Sequence, residues 1–178
     1  AVRDAVADAV PLSVKLRRAY DQTPGAAAGF DRILEAVIAE GYAAATIHGR
    51  TVSQKYDGPS HWPALRDIVA RYGDQGTLLF GSGDIFTPHA IFDMVDQTGV
   101  RAVSVARGCI GDLWIFEQAA ALQRGRPIDP PTLDQQRRVL AEHFELSVTL
   151  HGEQQAGRMM RKFGIKFSRH HPTPETVK

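Results

Sequence analysis

Four short, unbroken runs rich in Val, Ile and Leu recur along the chain, at Leu12–Leu16, Ala44–Ile47, Thr77–Phe80 and Ala102–Val105. A run without polar alternation suits a strand covered on both faces, as in a parallel sheet. Between the runs the spacing turns helical. Phe30, Ile33, Leu34, Val37 and Ile38 fall at i, i+3, i+4, i+7 and i+8, and Gly41 is placed to end that helix. Leu65, Ile68 and Val69, then Ile91, Met94 and Val95, repeat the pattern, and Trp114–Leu122 reads as a fourth helix ending near Gly125. The result is four consecutive βα units about 25–35 residues apart, the mark of a parallel α/β fold.

Four units are half of a closed eight-unit barrel. An open four-stranded sheet would be self-sufficient, whereas half a barrel leaves two strand edges without partners. Ala1–Val10, with Val2, Val6 and Val10, reads as the end of a helix feeding straight into the first strand, an unusual start for a complete domain. Arg126–Pro131, with prolines at 127, 130 and 131, is the clearest linker. Beyond it Thr132 can cap a helix carrying Leu133, Val139, Leu140, Phe144, Leu146 and Val148. A second helix is expected over about Gln154–Phe167, with Pro172 and Pro174 marking a fraying end.

Of 178 residues, 43% are hydrophobic and 23% charged, as in a globular protein, and the net charge is only +1. No run reaches the ~20 apolar residues of a membrane span, and the start lacks the pattern of a secretory signal. A cytoplasmic location without a membrane partner is the expectation. The single cysteine, Cys109, excludes an internal disulfide framework and a multi-cysteine zinc site, and no metal is expected. Charge gathers at the end, where Arg158, Arg161, Lys162, Lys166, Arg169 and Lys178 face Glu175 alone, with His170 and His171 beside them. That segment suits contact with phosphate backbones or, equally, a solvated helix face.

In a parallel barrel, chemistry gathers where strands end. The first strand carries Lys15 within Val14-Lys15-Leu16-Arg17, where an ammonium needs an electron-rich partner or must snorkel from an edge strand. The second ends Ile47-His48-Gly49-Arg50-Thr51, which places an imidazole beside a guanidinium. His48 can donate to a carbonyl-like acceptor or move a proton, and Arg50 can bind an anion; a lone histidine there is more often a satisfied one near a core. The third ends Gly81-Ser82-Gly83-Asp84-Ile85 and the fourth Ala106-Arg107-Gly108-Cys109-Ile110-Gly111. Glycines at successive strand ends, one turn bearing an arginine, form a candidate phosphate cradle.

This ordered series, joined by Gln54, Tyr56, Gly58 and Trp62, by Trp114-Ile115-Phe116 and by Met160-Arg161-Lys162-Phe163, resembles the tRNA-dihydrouridine synthase family from about residue 10 to about residue 165. The resemblance implies the second half of an FMN-binding (β/α)8 barrel over 1–125, a linker at 126–131, and part of a helical tRNA-binding domain over 132–178. It implies reduction of tRNA uridine to dihydrouridine, with NADPH recharging the flavin. By the same analogy Lys15 and His48 face the flavin ring, while Ser82, Gly83, Asp84, Ala106, Arg107 and Gly108 hold its phosphate. Arg50, Arg161 and Lys162 would meet tRNA, whose target base swings out of its stack. Ser82 stands where relatives usually place asparagine. The family's general-acid cysteine belongs to the first half barrel, so the chain is expected to be a fragment, and Cys109 reads as a small filler. Two rivals stay open: another FMN- or phosphate-binding barrel acting on a small metabolite, and a non-catalytic remnant.

Overall fold

A computed structural model describes residues 2–6, 10–171 and 173–176. Pro172, Lys178 and, of the Ala1–Val10 stretch named above, residues 1 and 7–9 lie outside them. The chain divides into two compact units, Ala1–Ala106 and Arg107–Lys178.

The first unit holds α1 (Val2–Val6), β1 (Ser13–Arg17), α2 (Pro24–Ala39), β2 (Ala44–His48), α3 (Trp62–Tyr72), β3 (Leu78–Ser82), α4 (Pro88–Thr98) and β4 (Ala102–Ser104). The strands form one parallel sheet in sequential order, β1-β2-β3-β4. The helices α2, α3 and α4 start where the sequence supplies both a cap and a proline that needs no N–H partner. Thr23, His61 and Thr87 accept from the backbone amide three residues on, ahead of Pro24, Pro63 and Pro88.

Sequential parallel order with right-handed crossovers puts all the connecting helices on one face of the sheet. The buried cluster there joins Ala45, Ile47 and Leu79 from the strands to Phe30, Leu34, Leu65, Ile68 and Met94 from the helices. Because strand side chains alternate, the residues between them point to the opposite face. Register aligns those residues in rows across the sheet, Lys15–Thr46–Phe80–Ala102 and then, nearer the carboxyl ends, Arg17–His48–Ser82–Ser104. One row of strand ends thus gathers cation, imidazole and two hydroxyls on one surface.

The second unit begins with a 3-10 turn, Arg107–Cys109, and continues through α5 (Ile115–Gln123), α6 (Leu133–His151), α7 (Glu153–Phe167) and short turns at Ser168–His170 and Pro174–Thr176. Thr132 caps α6 in a reciprocal box with Gln135. The expected linker at 126–131 lies within this unit, and aromatic contacts run across it. Trp114, just ahead of α5, packs edge-on against Phe167 and His170 at centroid distances of 5.8 and 5.6 Å. The His143 and Phe163 rings, 4.6 Å apart, join α6 to α7. Among the described residues no helix is long and apolar enough to cross a membrane, and no group of three or more His, Cys, Asp or Glu could hold a metal ion.

Candidate functional site

The strand-end loops of the first unit are stitched together by backbone and arginine contacts. After β1, the Arg17 guanidinium donates to the Thr51 carbonyl at 2.7 Å and Arg18 Nε to the Gly49 carbonyl at 2.9 Å. Ser53 N–H closes the same pair of loops by donating to the Tyr20 carbonyl at 2.8 Å. After β2, Gly49 N–H donates to Ser82 O at 3.0 Å, so the second and third strand ends are tied as well.

Lys15, His48 and Ser82 come together on this surface. Lys15 Nζ lies 3.4 Å from Ser82 Oγ and, among the described residues, has no carboxylate within ion-pairing distance. Partial burial, and then the neighbouring Arg17, push its ammonium below the usual lysine range. His48 is pushed down to about 4, first by burial and then by the positive charges of Lys15, Arg17 and Arg50, against a smaller opposing pull from Asp84. Near neutral pH the imidazole is therefore uncharged. Its Nδ1 accepts from the Arg50 N–H at 3.1 Å, so the network assigns the ring proton to Nε2, which can donate.

Arg50 and Asp84 are also brought together, though in a manner the sequence did not suggest. Arg50 Nη1 donates to Asp84 Oδ1 and Nη2 to Asp84 Oδ2, both at 2.7 Å, and Nη2 also reaches the Gly58 carbonyl at 2.5 Å. Asp84 Oδ2 accepts a further bond from Ser60 N–H at 2.7 Å. The Arg50 side chain is only 4% exposed. Arg50, expected to meet tRNA, is enclosed here with both terminal nitrogens committed and its Nε buried without a hydrogen-bond partner. The Asp84 carboxylate is committed likewise, and its negative charge would oppose phosphate, so any hold on an anion at 82–84 falls to other groups there.

Gly83 has φ +129° and Asp84 φ +59°, two successive residues in conformations that L side chains rarely adopt. A Cβ on Gly83 would lie 2.2 Å from Ser60 Oγ, and one on Gly49 would lie 2.4 Å from the same atom, so both glycines are required by close packing. Trp62 Nε1 donates to Gly83 O at 3.0 Å. Ser60 was not anticipated, and nothing in its local sequence signals it.

Ala106 ends the first unit, and Arg107 and Gly108 open the second in the 3-10 turn, with Cys109 half-buried at its end. Within the second unit Arg169 Nη2 donates to the Gly108 carbonyl at 3.3 Å and pairs with Asp112 at 3.0 Å, while His170 Nε2 lies 2.8 Å from the Gly111 carbonyl. Arg158, Arg161, Lys162 and Lys166 are exposed along α7.

A flavin mononucleotide fits the first-unit surface by its donor set. Lys15 and Arg17 are positive charges without an acidic partner among the described residues, Asp84 pairs with Arg50, and His48 Nε2–H and Ser82 Oγ supply donors beside them. An electron-rich or anionic ring system is what such a surface would attract.

Comparison with known proteins adds an independent line. The dihydrouridine synthase (Dus) family model matches residues 1–176. A probable tRNA-dihydrouridine synthase of Mycobacterium leprae (strain TN) is 33% identical over 163 residues, 91% of this chain and 41% of the relative. One of Treponema pallidum (strain Nichols) is 30% identical over 173 residues, 93% and 50% respectively. The tRNA-dihydrouridine synthase B of Xanthomonas campestris pv. campestris is 31% identical over 164 residues, 92% and 48%. The chain thus spans about half the length of the curated relatives it matches.

Proposed function

Because the chain belongs to the dihydrouridine synthase family, we propose that it contributes the flavin-facing surface of an enzyme that reduces uridine in tRNA to 5,6-dihydrouridine, with FMN as cofactor and NADPH as reductant. The observation that carries this reading is the excess of positive charge at Lys15 and Arg17 beside a neutral, donating His48 on the carboxyl-end row of a parallel sheet. FMN, when bound, supplies hydride chemistry that no amino-acid side chain can perform.

The chain's own groups then divide the work. Lys15 offers its ammonium to the electron-rich edge of the ring and favours negative charge there. His48, uncharged and donating from Nε2, can hydrogen-bond a carbonyl of the ring or of the inserted base without bringing a second cation. Ser82 and the turn through Gly83 and Asp84 hold the phosphate through hydroxyl and backbone, and the resemblance assigns Ala106, Arg107 and Gly108 to the same phosphate. Arg161 and Lys162 on α7 meet the tRNA backbone. The general acid is assigned to no residue of this chain. The four βα units over 1–125 form half of a (β/α)8 barrel, followed by the 126–131 linker and a helical RNA-binding region over 132–178. Sequential strand order supports this, because a doubly wound sheet would reverse its order partway.

The deciding experiment incubates the intact protein with FMN, NADPH and tRNA lacking the modification, and measures dihydrouridine. Formation in tRNA upholds the proposal. Turnover of a free pyrimidine with none in tRNA would favour a small-metabolite barrel instead.

A further inference from the structure

We propose that Arg50 and Asp84 are positioning residues, a buried brace that sets the shape of the Gly83 turn and the orientation of His48; as a claim about flavin binding, this rests on the preceding reading. The two side chains come from different strand ends, and each meets the other through two hydrogen bonds. Asp84 uses both carboxylate oxygens, on Arg50 twice and on the Ser60 N–H. Arg50 spends its remaining reach on the Gly58 carbonyl, so one ion pair anchors both ends of the 58–60 segment. Fork-to-fork geometry makes such a pair directional as well as strong.

That anchoring decides where Ser60 sits. With its N–H held by Asp84, Ser60 lodges its hydroxyl in the gap left by the absent side chains of Gly49 and Gly83. His61 N–H donates to Gly49 O at 3.1 Å, and the Trp62 indole to Gly83 O at 3.0 Å. Both glycine turns are therefore clamped by one loop, and the loop is clamped by one ion pair. His48 lies at the same junction. Its ring is fixed through Nδ1 by the backbone amide of Arg50, and its Cε1 lies 3.4 Å from where a Gly83 Cβ would be. A change in how Arg50 is held would move the amide that orients the imidazole.

Asp84 itself occupies the left-handed region, a conformation that costs a non-glycine residue and persists only when its surroundings impose it. The brace supplies that imposition. Neither side chain needs to touch a ligand, and their effect on one passes through Gly83, Ser82 and His48.

The test compares the intact parent protein with a double variant, Arg50→Met with Asp84→Asn, which removes both charges of the pair together; Asn tolerates the left-handed region and keeps an acceptor for Ser60. The melting temperature is expected within about 8 °C of the parent. Deuterium uptake in peptides covering 49–62 and 81–87 should quicken about tenfold. The FMN dissociation constant, read by quenching of flavin fluorescence, should rise about tenfold, with a changed visible circular dichroism of bound flavin. Unchanged uptake in both peptides overturns the brace. Loosened peptides with unchanged flavin affinity and dichroism overturn its positioning role. If the parent itself does not bind FMN, the flavin reading fails on its own, and the uptake data alone uphold or overturn the brace. Should the double variant not fold, Arg50→Lys keeps the charge but cannot span both carboxylate oxygens and the Gly58 carbonyl, and it is judged by the same readouts.

Discussion

The turns after β3 and β4 each carry a pair of glycines, and each is held by an arginine–aspartate pair. They differ in where the pair lives. Arg50–Asp84 ties two strand-end loops together with an arginine 4% exposed, whereas Arg169–Asp112 ties the 107–111 turn to the end of α7 with an arginine 40% exposed. The first pair withdraws its cation from water and hydrogen-bonds both of its terminal nitrogens; the second leaves its cation partly in solvent and buries its carboxylate instead. Burial of the cation, more than the motif, sets what each ion pair is worth to its turn.

The sharpest way to break that contrast is to remove each carboxylate. Asp84→Ala strands a buried guanidinium and should cost about 3–5 kcal/mol. Asp112→Ala leaves Arg169 access to water and should cost about 1 kcal/mol. Urea midpoints compare the two, and equal losses would end the distinction.

Glycine substitutions come next. Gly83→Ala combines an unfavourable φ with a clash on Ser60 and should cost about 3 kcal/mol, while Gly125→Ala, at φ +67° with open space around it, should cost about 1 kcal/mol. Thermal unfolding of the two variants checks whether packing, rather than backbone conformation alone, demands the glycine at 83.

The His48 environment predicts a smaller, pH-dependent effect. Its folded pKa, about 4, lies below the unfolded value of about 6.5, so the unfolded chain binds the proton first. Stability is complete above about pH 6.5 and declines as pH falls toward 4. After allowance for partial solvent screening the loss is about 1–2 kcal/mol. A His48→Gln variant should lose that slope in denaturation series run between pH 7 and pH 4, and an unaltered slope would place the titration elsewhere. Last, Thr132→Ala removes the reciprocal cap of α6 and should cost about 1 kcal/mol, seen in helical ellipticity on heating, with no effect on flavin affinity.

The elements were legible because their signals are local. Continuous Val, Ile and Leu runs located all four strands to within a residue or two, and Thr132 announced its helix through a cap readable in four residues. The strand-end placement of Lys15, His48 and Ser82 followed from the same runs, while their sharing one face comes from the observed register. What stayed hidden depends on distance along the chain. Arg50 and Asp84 are 34 positions apart, and nothing near either says that they neutralise each other. Ser60 matters only because two glycine turns meet beside it. The division at 106/107 rests in part on Trp114 meeting Phe167 and His170, a contact that the prolines at 127–131 outweigh when only the sequence is read.

The most direct test is a crystal structure of the intact protein with flavin mononucleotide. The expected density places the ring against Lys15 and His48, with the phosphate at the Ser82–Asp84 turn. Flavin bound away from those side chains, or a saturating soak that leaves that surface bare, would contradict the assignment.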